Sequence, residues 1–175
     1  MGELFHNLKK KDFTLASPYK CSFDPSIGGY SFTSLSGQKY SLWFHKVPHF
    51  SDFPDISPYI DEFIFDDPLS LNTKAVYDKQ IEETICYILK LYFEKNSENA
   101  IFFICDSSDK RHFSRHRLFN KWFINHYRLL KLEKLDSEVF IDGDCYLSSI
   151  IFLSTNPLKA RIKDVFENLH HQYEK

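Results

Sequence analysis

Glycine is scarce in this chain, five in 175 residues. Backbone can therefore approach a phosphate closely at few places, and neither GxxxxGK followed by Ser or Thr nor GxGxxG occurs. No cofactor is expected on these grounds. A single methionine leaves no Met-rich adaptable surface. No apolar run reaches the roughly 18 residues that a membrane span needs. Met1–His6 also lacks the basic-then-apolar order of a signal peptide. The expectation is a cytoplasmic protein with no membrane partner. An excess of one charge is missing too: the net charge is −2 and the pI about 6.4. Net charge gives a nucleic-acid partner no support without ruling one out, and any basic character must be local. The four cysteines (Cys21, Cys86, Cys105, Cys145) form no CxxC pair, and three lie in apolar runs, where reduced, packed thiols are found.

What the chain has is aromatics, 17% of residues with eighteen Phe and ten Tyr. Flat, large side chains will dominate the core. Residues 1–29 read as a lead-in segment, with a short basic run at Lys9–Lys11 and punctuation at Pro18, Pro25 and Gly28–Gly29. Residues 30–175 read as a single domain.

Tyr30 to Lys46 alternates with period two around Ser36–Gly37, which predicts a hairpin with one buried face. Trp43 falls on the opposite face from Tyr40 and Leu42, to pack on another layer or to be offered to a partner. Phe50 and Phe53 lie in a Pro-containing loop, and with Trp43 they could serve self-association; the oligomeric state is open. Tyr59–Phe65 reads as a third strand. A helix follows within 70–96, capped by Thr73 or Asp78, with a stripe of Ile81, Ile85, Ile88, Leu89, Tyr92 and Phe93. Ile101–Cys105 is a buried strand. A basic helix spans 109–126, and a second hairpin runs through Leu130–Phe140 and Cys145–Ser154, closed by Asp142–Gly143–Asp144. Asn156 with Pro157 opens a last helix, which carries His170 and His171 in its final turn. The order is βββαβαββα. Strands and helices do not alternate regularly, so the expected class is α+β: one mainly antiparallel sheet of about six strands, with three helices on one face.

The strand–turn–helix unit from Ile101 to Phe123 gathers the most chemistry. On a helical wheel Leu118, Phe119, Trp122 and Phe123 share one arc. One or two turns earlier the same arc carries Arg111, His112, Arg115 and His116. The helix should therefore run off the edge of the core, its first turns facing a cleft beside the end of the Ile101–Cys105 strand. Arg111 and Arg115, at i and i+4, can grip a carboxylate or phosphate, and a helix start favours anions. Asp109 suits the N-cap, and Asp106 can pair with Arg111 or Arg115.

Three readings follow from that cluster. One is an internal Asp–Arg network that fixes the helix on the sheet. Another is an anion-accepting cleft in a non-enzymatic binding module, made of Asp106, Asp109, Arg111, His112, Arg115, His116 and Arg117, with an anionic ligand or a protein as partner. The third is a small enzyme, hydrolase or acyltransferase-like, using Asp106 or Asp109 with His112 or His116. The spacing of His112 and His116 suits a helical metal pair, but the HExxH glutamate and a third histidine are missing, so no metal is expected. Acyl-CoA-dependent N-acetyltransferases use a strand leading into a helix start. The turn here is Asp106–Ser107–Ser108–Asp109, without their glycine-rich pyrophosphate loop.

Tyr30-x-Phe32 to Gly37-x-x-Tyr40-x-x-x-Phe44, then Cys105-Asp106-x-x-Asp109-x-Arg111-x-x-x-Arg115-x-Arg117-x-Phe119-x-x-Trp122-Phe123, resembles a family of small bacterial proteins of unknown function, mainly from the Bacteroidetes. The resemblance covers the chain from about Tyr30 onward. It implies a bacterial cytoplasmic domain and no particular activity.

Overall fold

The alternation between residues 29 and 46 folds as a hairpin. The computed structural model describes residues 17–26, 28–46, 50–66, 78–105, 107, 110–141 and 144–171. Strands β2 (Gly29–Thr33) and β3 (Lys39–Lys46) pair antiparallel, from Gly29 opposite Trp43 to Thr33 opposite Lys39. Gly37 sits in the turn at φ +81°, a left-handed conformation that costs glycine nothing. Gly29 is fixed by closeness instead: a Cβ there would lie 2.6 Å from the Trp43 ring, so the half-buried indole rests against bare backbone. Tyr40 and Leu42 face the core.

A short edge strand precedes this hairpin. β1 (Ser22–Asp24) pairs with β2 and lies inside the stretch that the sequence presents as a lead-in. Just before it, Tyr19 stacks on Phe32 with ring centroids 5.8 Å apart and donates its hydroxyl to Asp78 at 2.5 Å. The Lys9–Lys11 run lies outside the described residues.

β4 (Ile60–Asp66) extends the sheet antiparallel to β3. Helix α1 (Lys79–Lys95) then starts at an Asp78 N-cap, whose carboxylate accepts from the Gln80 amide at 2.8 Å. Its predicted stripe packs as expected: Ile85, Ile88, Tyr92 and Phe93 are buried, with Ile81 and Leu89 partly so. α1 supplies the crossover that lets β5 (Ala100–Cys105) lie parallel to β4. After β5 come helix α2 (His112–Leu130), the hairpin of β6 (Leu132–Ile141) and β7 (Asp144–Leu153), and helix α3 (Lys159–His171). The strand order is β1-β2-β3-β4-β5-β7-β6, all antiparallel except β4–β5. The fold is α+β, as expected, with seven strands in one mixed, mostly antiparallel sheet and three helices.

The helices do not share one face. Ile101, Phe103 and Cys105 of β5 meet Ile85 and Tyr92 of α1 and Trp122 of α2. Ala100 and Phe102, turned the other way by the strand's period, meet Ile162, Val165 and Phe166 of α3. β5 is apolar on both faces because it is covered on both. Phe50 belongs to the α3 side at 1% exposure, edge-on to Phe102, so it is core and not an exposed aromatic. Asn156 is buried where α3 begins, its side chain accepting from the Leu158 amide at 2.8 Å and donating to the Asn99 carbonyl at 3.2 Å. Regular helix follows from Lys159, two residues beyond Pro157.

Two boundaries differ from the expectation around α2. The N-cap position is Arg111, not Asp109: the Arg111 carbonyl accepts from the Ser114 and Arg115 amides at 2.9 Å, and Lys110 before it is left-handed at φ +61°. The helix also runs to Leu130, and left-handed Lys131 (φ +53°) alone turns the chain into β6.

Candidate functional site

The parallel β4–β5 pair is short. Ile60 pairs with Ala100, Asp61 with Ile101 and Glu62 with Phe102, and there the ladder stops. β4 continues through Phe63–Asp66, held by β3, and β5 through Phe103–Cys105, held by β7. Past Glu62 and Phe102 the two strands part. Phe63 and Phe103 meet edge-on at 6.4 Å, and Phe119 of α2 stands edge-on to Phe103 at 5.5 Å and to Phe65 at 6.4 Å. Phe119 thus fills the angle of the opening from the helix side.

The opening is a cavity of about 410 Å³, in the range of small-molecule sites. Phe63, Phe65, Phe103, Cys105, Phe119 and Arg115 line it on the helix side; Trp43, Glu62, Ile64, Asp66 and Ile104 line the rest. Burial pushes the Cys105 thiol up to about 11, against the opposing charges of Lys134 and Arg115, so it is a thiol and not a thiolate at neutral pH. A smaller apolar void of about 50 Å³ lies between α1, α2 and the sheet, lined in part by Ile85, Trp122 and Tyr127.

The residues singled out in the sequence are only partly drawn together. Asp106 and Asp109 lie outside the described residues. Arg115 lines the cavity, at the turn of α2 beside the end of β5. Arg111 is exposed at the N-cap, and Arg117 is exposed with Nη2 donating to Ser114 Oγ at 3.3 Å. His112 lies against Phe113, ring centroids 4.3 Å apart, and its buried ring nitrogens have no hydrogen-bond partner among the described residues. His116 has a carboxylate partner that the sequence did not suggest: its Nε2 lies 3.1 Å from Asp136 Oδ1 of β6.

Asp136 is the centre of a polar cluster beneath α2. The same oxygen accepts from Ser149 Oγ of β7 at 2.6 Å and from the Lys134 ammonium, which also donates to Asn120 of α2. The Lys134 side chain is 3% exposed, and its ammonium lies 6.0 Å from the Phe103 ring centroid. Burial lowers the Lys134 pKa, opposed by the Asp136 carboxylate. Burial raises the Asp136 carboxyl, but the bonds from Lys134, Ser149 and His116, with the charge of Lys134, outweigh it and leave it below its usual range. The one available signal was Lys134-x-Asp136, two charges on one face of a strand. Ser149, opposite Asp136, and Asn120 come from the register and the helix and had no local mark.

A second link holds α2 further along. Glu82 of α1 is fully buried, and its Oε1 accepts from Asn125 Nδ2 and lies near His126 Nε2, both at 2.9 Å.

Fold and site define a small α+β protein with a cleft opened between two parallel strands. The chain belongs to a family of unknown function (DUF6169), whose model matches residues 77–170, just over half of the chain. That range takes in α1, β5, α2, the β6–β7 hairpin and nearly all of α3. No curated protein and no solved structure matches the chain. Among the described residues no helix is long and apolar enough to cross a membrane.

Proposed function

We propose that this protein is a binding module whose ligand sits between β4 and β5 and turns an anionic group towards Arg115 and the start of α2. The supporting observation is the early end of the β4–β5 ladder, which leaves a cavity walled by five aromatic rings, with Arg115 on the helix side and Glu62 and Asp66 on the rest. Aromatic walls with a few charged groups suit a bound small molecule or chain segment. The positive end of the α2 dipole adds to the preference for an anion. A bacterial cytoplasm is part of the proposal; the four free cysteines accord with a reducing compartment. The test is thermal denaturation and tryptophan fluorescence of Trp122→Phe protein, in which Trp43 is the one emitter, and of the same protein with Arg115→Met, titrated with inorganic phosphate, short carboxylates and nucleotides. Stabilisation by one of these that weakens at least several-fold in Arg115→Met is expected. No response from any anion, or an equal response in both proteins, would sink the reading.

A second reading is a small acyltransferase-like or hydrolytic enzyme, favoured by the 3.1 Å contact of His116 with Asp136. A carboxylate that orients an imidazole is the arrangement a general base needs. It ranks second because neither His112 nor His116 lines the cavity.

A further inference from the structure

Most clefts are walled by side chains alone, but this one is also walled by strand edges. From Phe63 to Asp66, β4 is bonded on one side to β3; from Phe103 to Cys105, β5 is bonded on one side to β7. Among the described residues, the edges that face each other across the opening carry no ladder. Along an extended strand alternate residues turn their N–H and C=O to the same side, so each wall repeats donors and acceptors about every 6.6 Å. Such groups need partners. The free lengths reach about 10–13 Å at 3.3 Å per residue. Ile64 and Ile104, on the two lips, are 38% and 37% exposed, although both lie inside the sheet. That exposure is what a missing neighbour between them would leave.

Two facing rows of amides suit a linear chain with its own spaced amides, as they suit an added strand.

We infer that the occupant is a linear chain carrying successive secondary amides, which enters between β4 and β5 and bonds to their facing edges. The inference rests on the cleft being the ligand site, as proposed above, and adds the ligand's class. Two sources supply that chemistry, an extended peptide and the pantetheine arm of an acyl carrier.

The test is amide hydrogen exchange of the full chain with three probes: the blocked peptide N-acetyl-Val-Thr-Val-amide, pantetheine, and an oligoethylene glycol of similar length that has no amides. A probe held at ten times its dissociation constant should slow exchange about tenfold at the gap-facing amides within Phe63–Asp66 and Phe103–Cys105. The glycol should do nothing. A response to the peptide alone assigns a polypeptide, to pantetheine alone an acyl carrier, and either supports the inference. Ile104→Trp, which fills the mouth, should remove the response; if that variant does not fold, the exchange pattern of the native chain decides. No slowing by either amide probe at millimolar concentration, or equal slowing by the glycol, overturns it. Phosphate binding that depends on Arg115 without any amide-probe response leaves the anion cleft standing and defeats only this inference.

Discussion

Asp136 shows how much one side chain can be asked to hold. A single oxygen gathers Lys134, Ser149 and His116 from a strand, its neighbour and a helix. Removing it leaves the Lys134 charge buried without its carboxylate, so Asp136→Ala should cost about 2–3 kcal/mol in urea denaturation. That is below the 3–5 kcal/mol of a fully buried pair, because the Asp136 side chain is 44% exposed. Lys134→Met should cost less, since Asp136 keeps two partners, and adding it to Asp136→Ala should recover part of the loss. A double variant as unstable as the two changes summed would mean that the charges do not interact. The pH dependence has a definite sign. The folded-state pKa of Asp136 lies below its ordinary value, so the unfolded chain binds more protons on acidification. Its contribution is complete above the carboxylate range and disappears as pH falls through it; Asp136→Asn should flatten the acid limb of the stability curve. Beyond the Lys134-x-Asp136 spacing, none of this was visible locally. The wheel placed Phe119 and Trp122 correctly on the core side of α2, because helical spacing is written in neighbouring residues. The partner of His116 is twenty positions away and depends on how the hairpin lies on the sheet.

At the scale of elements, α2 is fastened as much by polar contacts as by burial. Trp122 is its one buried residue among those described, while His116 and Asn120 reach β6, and Asn125 and His126 reach Glu82. Glu82→Ala should therefore loosen α1 from α2 at a cost of about 1–3 kcal/mol, the usual penalty for leaving buried polar groups without their hydrogen-bond partner. Glu82→Gln, which keeps the shape and one acceptor, should cost clearly less; equal losses would show that the carboxylate charge decides. The end of α2 gives a cleaner case. Lys131 adopts a left-handed conformation with an exposed side chain, and its carbonyl bond to the Ser154 amide at 2.8 Å belongs to the backbone. Lys131→Gly should stabilise the protein by about 1 kcal/mol, the strain a Cβ carries there, seen as a raised urea midpoint at unchanged slope. The sequence marked strands and helices well where one face alternates or one stripe repeats. It marked β1 poorly, since its three residues are all exposed. The parting of β4 from β5 had no mark at all. Both read as ordinary apolar strands, and Phe119, which stands at the opening, comes from the helix that follows β5.

The whole molecule has two apolar layers divided by one sheet, which raises the question of whether it melts as one unit. The family match begins at residue 77 and leaves β1 to β4 outside it, yet β4 pairs with β5 and Phe63 packs with Phe103 across that boundary. The α1–α2 layer carries Trp122, while the α3 layer carries neither tryptophan in its core. β5 serves both layers with adjacent residues: Phe102 is buried under α3 and Phe103 under α2. Loss of packing on one face of β5 is felt on the other, because adjacent residues of one backbone carry both faces. Phe102→Ala and Phe103→Ala should each cost about 3–5 kcal/mol, the usual range for emptying a buried phenylalanine site. The Trp122 fluorescence transition, read in Trp43→Phe protein, should move as far for Phe102→Ala as for Phe103→Ala and coincide with the far-ultraviolet circular dichroism transition. If Phe102→Ala shifts the dichroism while Trp122 melts where it did before, the α3 layer unfolds on its own and the sheet does not bind the two layers into one cooperative structure.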